Sequence, residues 1–382
     1  MTIKVALLGC GMMSREHASY IKGFKDRYNV KLIAICDSDD NSIVRMKNLL
    51  DSNELNDLII TTTEDELLSY AHMIDLLVIA TPNYLHTPSL LKWCKHDITI
   101  LCEKPVAVSY DQINSLKQML KKQNNNNDND DDNDDVCKAR FWIAMEYRYM
   151  PAISKLISLL PSIGDIKMIT IRENRYPFLL KVGNWNRDKS KSGDTLVEKC
   201  CHFFDLMRLI TKSNPIKIMA SGGQAVNHLK EDYSGSVPDI WDHGYVIVEF
   251  ENNMKAMLEL CMFAEGSKYQ EEISITGEAG KVEAFIPGPA RLWPKKLGAP
   301  PISKIVVSPR DKSILKEMEV PVDKKILEAG DHNGSTFYQH QKFMLVVDGK
   351  IPPEVTLDDG IWAVRMGHAA QASAETGQVV NF

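Results

Sequence analysis

The sequence predicts a two-part α/β protein: an N-terminal doubly wound parallel sheet, then a C-terminal α+β domain built on a mostly antiparallel open sheet. Three observations predict it. An apolar run, Ile3 to Leu8, passes straight into Gly9-Cys10-Gly11 and then into a helical pattern, the strand, glycine turn and helix order that opens a doubly wound sheet. Further short apolar runs bounded by turn residues alternate with helical stretches as far as residue 148. From Lys167 onward the pattern changes to alternating strands with long connections.

At 382 residues the chain exceeds one ordinary core, so domains at 1–148 and 149–382 are expected. A hydrophobic content of 44% with 25% charged residues describes a globular protein, and a net charge of -6 without a basic stripe argues against a nucleic-acid partner. Lys4 is the only charge before the apolar run Val5 to Gly9, which is too short for a signal peptide or a membrane span; a cytoplasmic protein with no membrane partner is expected. Eight scattered cysteines point to reduced thiols. Cys200, Cys201 and His202 form the only tight cluster of soft ligands, but adjacent cysteines face different sides of a helix and no second pair lies at zinc-site spacing, so no metal is expected.

In the first glycine turn, Gly9 allows the tight bend, Gly11 lets the backbone approach a pyrophosphate, and Ser14 takes the place of the third fingerprint glycine with a side chain small enough for close packing. A helix runs on through Ile21 and Phe24. The next strand, Val30 to Cys36, ends in Asp37, at the distance where a dinucleotide fold carries its ribose-binding acid. A carboxylate there repels a 2′-phosphate, and no arginine follows beside it, so NAD is favoured over NADP; the plainer reading is that Asp37 caps a turn. Leu58 to Thr61 and Ile74 to Ala80 supply two more strands, and Thr81 and Asn83 offer polar groups at a strand's carboxyl end, with Pro82 fixing the turn. Leu90, Leu91 and Cys94 carry a helix toward Ile98.

Ile98 to Val106 is a buried strand that stops at Glu103-Lys104-Pro105, since proline has no amide hydrogen to donate. Opposite charges at the carboxyl end of such a strand lie where open α/β sheets place ligands. Beside a bound cofactor the ammonium form of Lys104 is disfavoured, which suits it to moving protons; a solvated Glu-Lys pair is the bland alternative. Ser109 to Gln123 reads as a helix capped by Ser109, followed by an Asn/Asp tract at 124–135 that reads as a solvated insert. The strand Ala139 to Met145 completes the sheet, and Tyr147 to Pro151 opens the crossing to the second domain.

A Gly-x-Gly followed by His17, an Ala-Thr-Pro-Asn-x-x-His at 80 to 86, and a strand ending in Glu103-Lys104-Pro105 together resemble the glucose-fructose oxidoreductase / inositol dehydrogenase / MocA family. The resemblance implies a Rossmann-type first domain whose cofactor residues are Gly9, Gly11, Met12, Met13, Asp37, Thr81, Asn83, His86, Glu103 and Lys104.

In the second domain, strands are expected at Lys167 to Arg175, Ile216 to Ser221, Tyr245 to Glu251, Lys255 to Met262, Glu272 to Thr276 and Lys281 to Phe285, and a helix from Thr195 to Ile210. On that helix Glu198 and His202 stand at i and i+4 and share a face, with Asp205 one step further. His202 can exchange a proton near neutral pH while Glu198 orients it; a self-satisfied Glu-His pair is the alternative.

By resemblance Lys104 and His202 take the family's catalytic positions, and Glu198 the position usually held by Asp. Gly193-Asp194 stands where Gly-Gly is more usual. Arg148, Trp185 and Arg187 fall in segments the family turns toward its cleft and are candidate substrate contacts, with Tyr176, Lys199 and Tyr338 as weaker ones. Two helices, His332 to Asp348 and Asp358 to Thr376, close the chain, and the Pro287 to Pro301 loop lies outside the likeness. The implied activity is hydride transfer between NAD and a secondary alcohol of a sugar, inositol or related polyol, in a homodimer or homotetramer. An NAD-dependent glycosidase with net hydrolysis and a non-catalytic nucleotide sensor stay open as alternatives.

Overall fold

The computed structural model describes residues 2–125 and 137–382; most of the Asn/Asp tract expected as an insert therefore lies outside the described residues. By internal contact the chain divides into two units, Met1–Met145 with Thr336–Ile361, and Glu146–Ser335 with Trp362–Phe382. The sequence-based boundary at 148 does not anticipate that 336–361 returns to the first unit.

The first unit holds β1 (Ile3–Leu8), α1 (Met12–Gly23), β2 (Val30–Cys36), α2 (Asp40–Lys47), β3 (Ile59–Thr61), β4 (Leu76–Ile79), α3 (His86–Trp93), β5 (Thr99–Cys102), α4 (Tyr110–Asn125) and β6 (Arg140–Ile143). All six strands are parallel, in the order β3-β2-β1-β4-β5-β6, with the strand order reversing at β1. Because both faces of a parallel sheet are covered, the central strands are apolar on both sides: Val5 to Leu7, Leu76 to Ile79 and Ile100 to Cys102 are all fully buried. Gly9 ends β1 with φ +95°, and a Cβ on it would lie 2.6 Å from the Ala80 carbonyl oxygen. Gly9→Ala is therefore expected to destabilise the protein by more than the roughly 1–2 kcal/mol of a left-handed alanine, the clash adding to the strain, and to weaken NAD binding. Urea unfolding and an NAD titration check this; unchanged values in both would show that the turn can relax.

The second unit carries α5 (Pro151–Leu159), β7 (Ile166–Asn174), α6 (Thr195–Glu198), α7 (Cys201–Thr211), β8 (Pro215–Gly223), β9 (His243–Phe250), β10 (Lys255–Cys261), β11 (Glu271–Gly277), β12 (Gly280–Ile286), β13 (Ser303–Pro309) and β14 (Lys316–Val320). Next in the chain come α8 (Ser335–Val347), counted with the first unit from Thr336, α9 (Leu357–Thr376), counted with the second unit from Trp362, and the short β15 (Val380–Asn381). The nine-stranded sheet runs β14-β13-β12-β11-β7-β10-β9-β8-β15 and is antiparallel except where β10 pairs with β7. Buried and accessible residues alternate along β10 and β12, as a sheet with one covered face requires. Three of its strands escape the sequence pattern: β13 follows a proline-rich loop, β14 is a charged edge strand (Lys-Glu-Met-Glu-Val), and β15 has two residues.

The helix expected over Thr195 to Ile210 is broken. The Thr195 carbonyl accepts from both the Lys199 and Cys200 amides (3.0 and 3.2 Å), so the turn widens and α7 restarts at Cys201. Among the described residues no helix is long and apolar enough to cross a membrane.

Candidate active site

In the first unit the site begins at the carboxyl ends of β1 and β2. The Cys10 amide donates to Asp37 Oδ2 (2.6 Å) and the Asp39 amide to Asp37 Oδ1 (2.8 Å), so the turn-capping and ribose readings of Asp37 are not exclusive: the backbone bonds aim the carboxylate. Each carboxylate oxygen has acceptor capacity to spare for a ribose hydroxyl. Sequence reading missed two arginines here. Arg15 Nη1 donates to the Cys10 carbonyl (3.1 Å), and Arg45 pairs with Asp39 at 3.1 Å. Burial, and then the Arg45 charge, push the Arg15 guanidinium down.

Helix α1 starts at Gly11 with no side chain capping its amides, and a Cβ built on Gly11 would meet nothing within 4 Å. Open amides behind an unobstructed glycine suit a pyrophosphate, so the residues present fit a dinucleotide. Met12 lies exposed at the start of α1 and Ser14 is fully buried.

After β4, Asn83 is buried and Thr81 half-buried. His86, expected at the cofactor, instead fastens two loops together: its Nδ1 lies 2.7 Å from the Pro105 carbonyl oxygen and its Nε2 2.9 Å from that of Thr81. Burial pushes this imidazole down, against the pull of the two carbonyls. Glu103 is likewise engaged within the protein. Its Oε1 is 2.9 Å from His17 Nε2, its Oε2 accepts from the Lys104 amide (3.2 Å), and His17 Nδ1 is 2.8 Å from His340 Nε2 on α8. Burial pushes the Glu103 carboxyl up, but His17 and Lys104 prevail and hold it below its ordinary value. An ionised carboxylate only accepts, so His17 Nε2 is assigned the hydrogen, and His17 and His340 share one between them. Burial and the neighbouring His17 keep His340 well below its usual value, hence neutral. This buried chain orients the turn that presents Lys104, which is half-buried at the carboxyl end of β5.

In the second unit, Glu198 ends α6 and His202 lies in the first turn of α7, 5% and 3% exposed. The His202 ring lies flat on Tyr147, with centroids 4.2 Å apart and planes at 8°. The Tyr147 hydroxyl accepts from Lys199 Nζ (2.5 Å) and donates to Glu271 Oε1 (3.2 Å). Lys199 Nζ also lies 2.9 Å from Glu173 Oε1, and Gln270 Nε2 donates to Glu271 Oε1 (2.6 Å). The sequence signal for this cluster was slight: Lys199 is a weak candidate beside Glu198, and Tyr147, Glu173 and Glu271 sit in ordinary strand and crossing patterns.

Burial, then the Glu173 carboxylate, push Glu271 up from 4.5 to about 8. The folded protein thus holds a proton that the unfolded chain releases. Its stabilising contribution is whole below pH 4.5 and is lost as pH rises through about 8. Glu271→Gln should flatten the pH dependence of stability over that interval, read as urea midpoints; parallel profiles for the two proteins would show that Glu271 does not titrate there.

Two of the expected substrate contacts have partners within the second unit. Arg148 forms a two-pronged pair with Asp205, Nε to Oδ2 at 2.6 Å and Nη2 to Oδ1 at 2.5 Å, and so anchors α7. Arg187 is 5% exposed, pairs with Glu231 at 3.0 Å and donates to the Phe178 carbonyl at 2.9 Å. Trp185 is 9% exposed beneath the Lys181 ammonium, 5.5 Å from its ring.

Residues 3–127 match the model of an oxidoreductase family's NAD-binding Rossmann fold, and residues 159–382 that of the same family's C-terminal alpha/beta domain. The chain belongs to the Gfo/Idh/MocA oxidoreductase family. As a member it carries an NAD-binding Rossmann fold. Its relatives include the 2,7-anhydro-N-acetylneuraminate hydratase of Mediterraneibacter gnavus, 23% identical over 68% of this chain and 61% of that protein, so the match spans under two thirds of that relative. The inositol 2-dehydrogenase of Rhizobium meliloti is 22% identical over 74% of this chain and 76% of its own length. Among solved structures, the WlbA dehydrogenase from Bordetella pertussis in complex with NADH and UDP-GlcNAcA shares the fold, with a TM-score of 0.72, 15% identity and coverage of 100% and 99% of the two chains.

Proposed function

We propose that this family member is an NAD-dependent dehydrogenase acting on a secondary alcohol of a sugar, inositol or related polyol. One observation carries the reading. Lys104 stands at the carboxyl end of β5, two strands, or about 10 Å, from the β1 end that holds the glycine turn, a separation a dinucleotide spans. NAD, when bound, supplies the hydride acceptor. Gly9 and Gly11 admit its pyrophosphate, Asp37 takes the adenosine ribose hydroxyls and disfavours a 2′-phosphate, and Thr81 and Asn83 offer polar groups at the end of β4. Lys104 is assigned a proton-handling role and, by the family likeness, so is His202, which Glu198 orients. A homodimer or homotetramer in the cytoplasm belongs to this reading.

A second reading, in which NAD is not consumed and the net reaction is hydrolysis of a glycosidic bond, is favoured by the relative named a hydratase. Sugars, inositols and their acids offered with NAD or NADP decide between them. NADH formation at the reduced-nicotinamide band supports the dehydrogenase, reducing sugar released without net NADH supports the hydrolase, and neither product from any of them would sink both.

A further inference from the structure

We infer that Lys199 is a positioning residue for His202, acting through the Tyr147 phenol. The inference rests on the reading of His202 as a proton-handling group. An ammonium only 4% exposed is costly to bury, and a Met or Leu would fill the space more cheaply. What Lys199 does here that an apolar side chain would not is fix a hydroxyl. A phenol has one hydrogen to give. With Lys199 donating to it and Glu271 accepting from it, the Tyr147 hydroxyl is held from two sides and its ring plane with it. The His202 imidazole lies face to face with that plane and cannot turn about its χ2 without leaving the stack.

The charge matters as well as the position. Lys199 Nζ is 4.6 Å from the Tyr147 ring centroid and hydrogen-bonds to its oxygen, so it draws electron density from the face against which His202 lies. A ring depleted in this way stabilises an imidazolium less. The surrounding ionisable groups come from several elements: Glu173 and Arg175 at the end of β7, Glu271 at the start of β11, Cys200 next in sequence, and Glu146 and His332 beside Tyr147. Burial and the two carboxylates Glu271 and Glu173 push the Tyr147 phenol well up, so it stays a neutral hydroxyl that relays the influence of Lys199 without ionising.

The test uses the full-length protein. Lys199→Met leaves the Glu173 carboxylate paired with the Arg175 guanidinium, 3.7 Å away, so the deciding variants are K199M, which removes the ammonium, and Tyr147→Phe, which keeps the stack and loses the hydroxyl. The first readout is the NMR pH titration of the His202 ring without substrate. The second is turnover, with kcat and KM determined separately. In both variants the His202 midpoint is expected to rise by at least half a pH unit and kcat to fall at least tenfold, with the KM for NAD unchanged. A purely structural ion pair would shift the melting temperature and leave the His202 titration in place, and that outcome overturns the inference. A moved titration with unchanged turnover would uphold the link from Lys199 to His202 and instead remove His202 from the proposed chemistry. Exposed Lys191→Met serves as the control.

Discussion

Lys104→Met is expected to lower turnover by about 10²–10⁴-fold, the usual range for loss of a general acid or base, with NAD binding intact. The substitution keeps the apolar stem of the side chain and deletes only the ammonium. The turn that carries it is fixed from behind by groups the substitution leaves alone: Glu103 by His17, and Pro105 through its carbonyl by His86. The cofactor contacts proposed at Gly9, Gly11 and Asp37 are untouched. Steady-state rates at the reduced-nicotinamide band and NAD titration by protein fluorescence read the two effects separately. Near-normal turnover would take Lys104 out of the chemistry, whereas lost NAD binding would make it a cofactor contact first.

Arg148→Ala is expected to destabilise the protein by about 3–5 kcal/mol, since it takes the guanidinium away from the buried Asp205 carboxylate. Side-chain exposure is 9% for Arg148 and 0% for Asp205, so water cannot replace the lost guanidinium. For a unit of this size that corresponds to roughly 2–4 °C in melting temperature per kcal/mol. Urea unfolding measures it directly. R148M/D205L, which removes both charges, should recover most of the loss, and failure to recover would mean that the pair specifies α7 geometry rather than merely neutralising charge. A substrate-binding role would look different, with raised KM and unchanged stability.

What the sequence makes legible is the backbone logic. The glycine turn after Ile3 to Leu8, the strand ending in Glu103-Lys104-Pro105, and the alternation along β9 to β12 are local patterns, and the parallel sheet and the open antiparallel sheet follow from them. What it hides is where long side chains spend their polar atoms. Nothing local distinguishes an arginine that awaits a substrate from Arg148, whose partner lies 57 residues away, or a motif histidine that meets a ligand from His86, whose acceptors are main-chain carbonyls. The same limit conceals His340, brought to His17 across 323 residues. The break between α6 and α7 is equally invisible, because one carbonyl serving two amides leaves the hydrophobic spacing unchanged.

The return of residues 336–361 to the first unit has a consequence for biosynthesis. His340 meets His17, Phe343 lies edge-on to Trp142 with centroids 5.6 Å apart, the Val355 carbonyl accepts from the Ile143 amide (3.1 Å), and Gly360 fits where a Cβ would come within 2.9 Å of Val106. A ribosome that has released residues 1–145 has therefore not yet released everything that closes their core. At translation speeds of about 5–20 residues per second, the β6 edge and the back of the Glu103 turn wait roughly ten seconds or more for their lining. A nascent chain arrested before residues 336–361 have left the ribosome should expose this flank to proteases and chaperones, and the released chain should not.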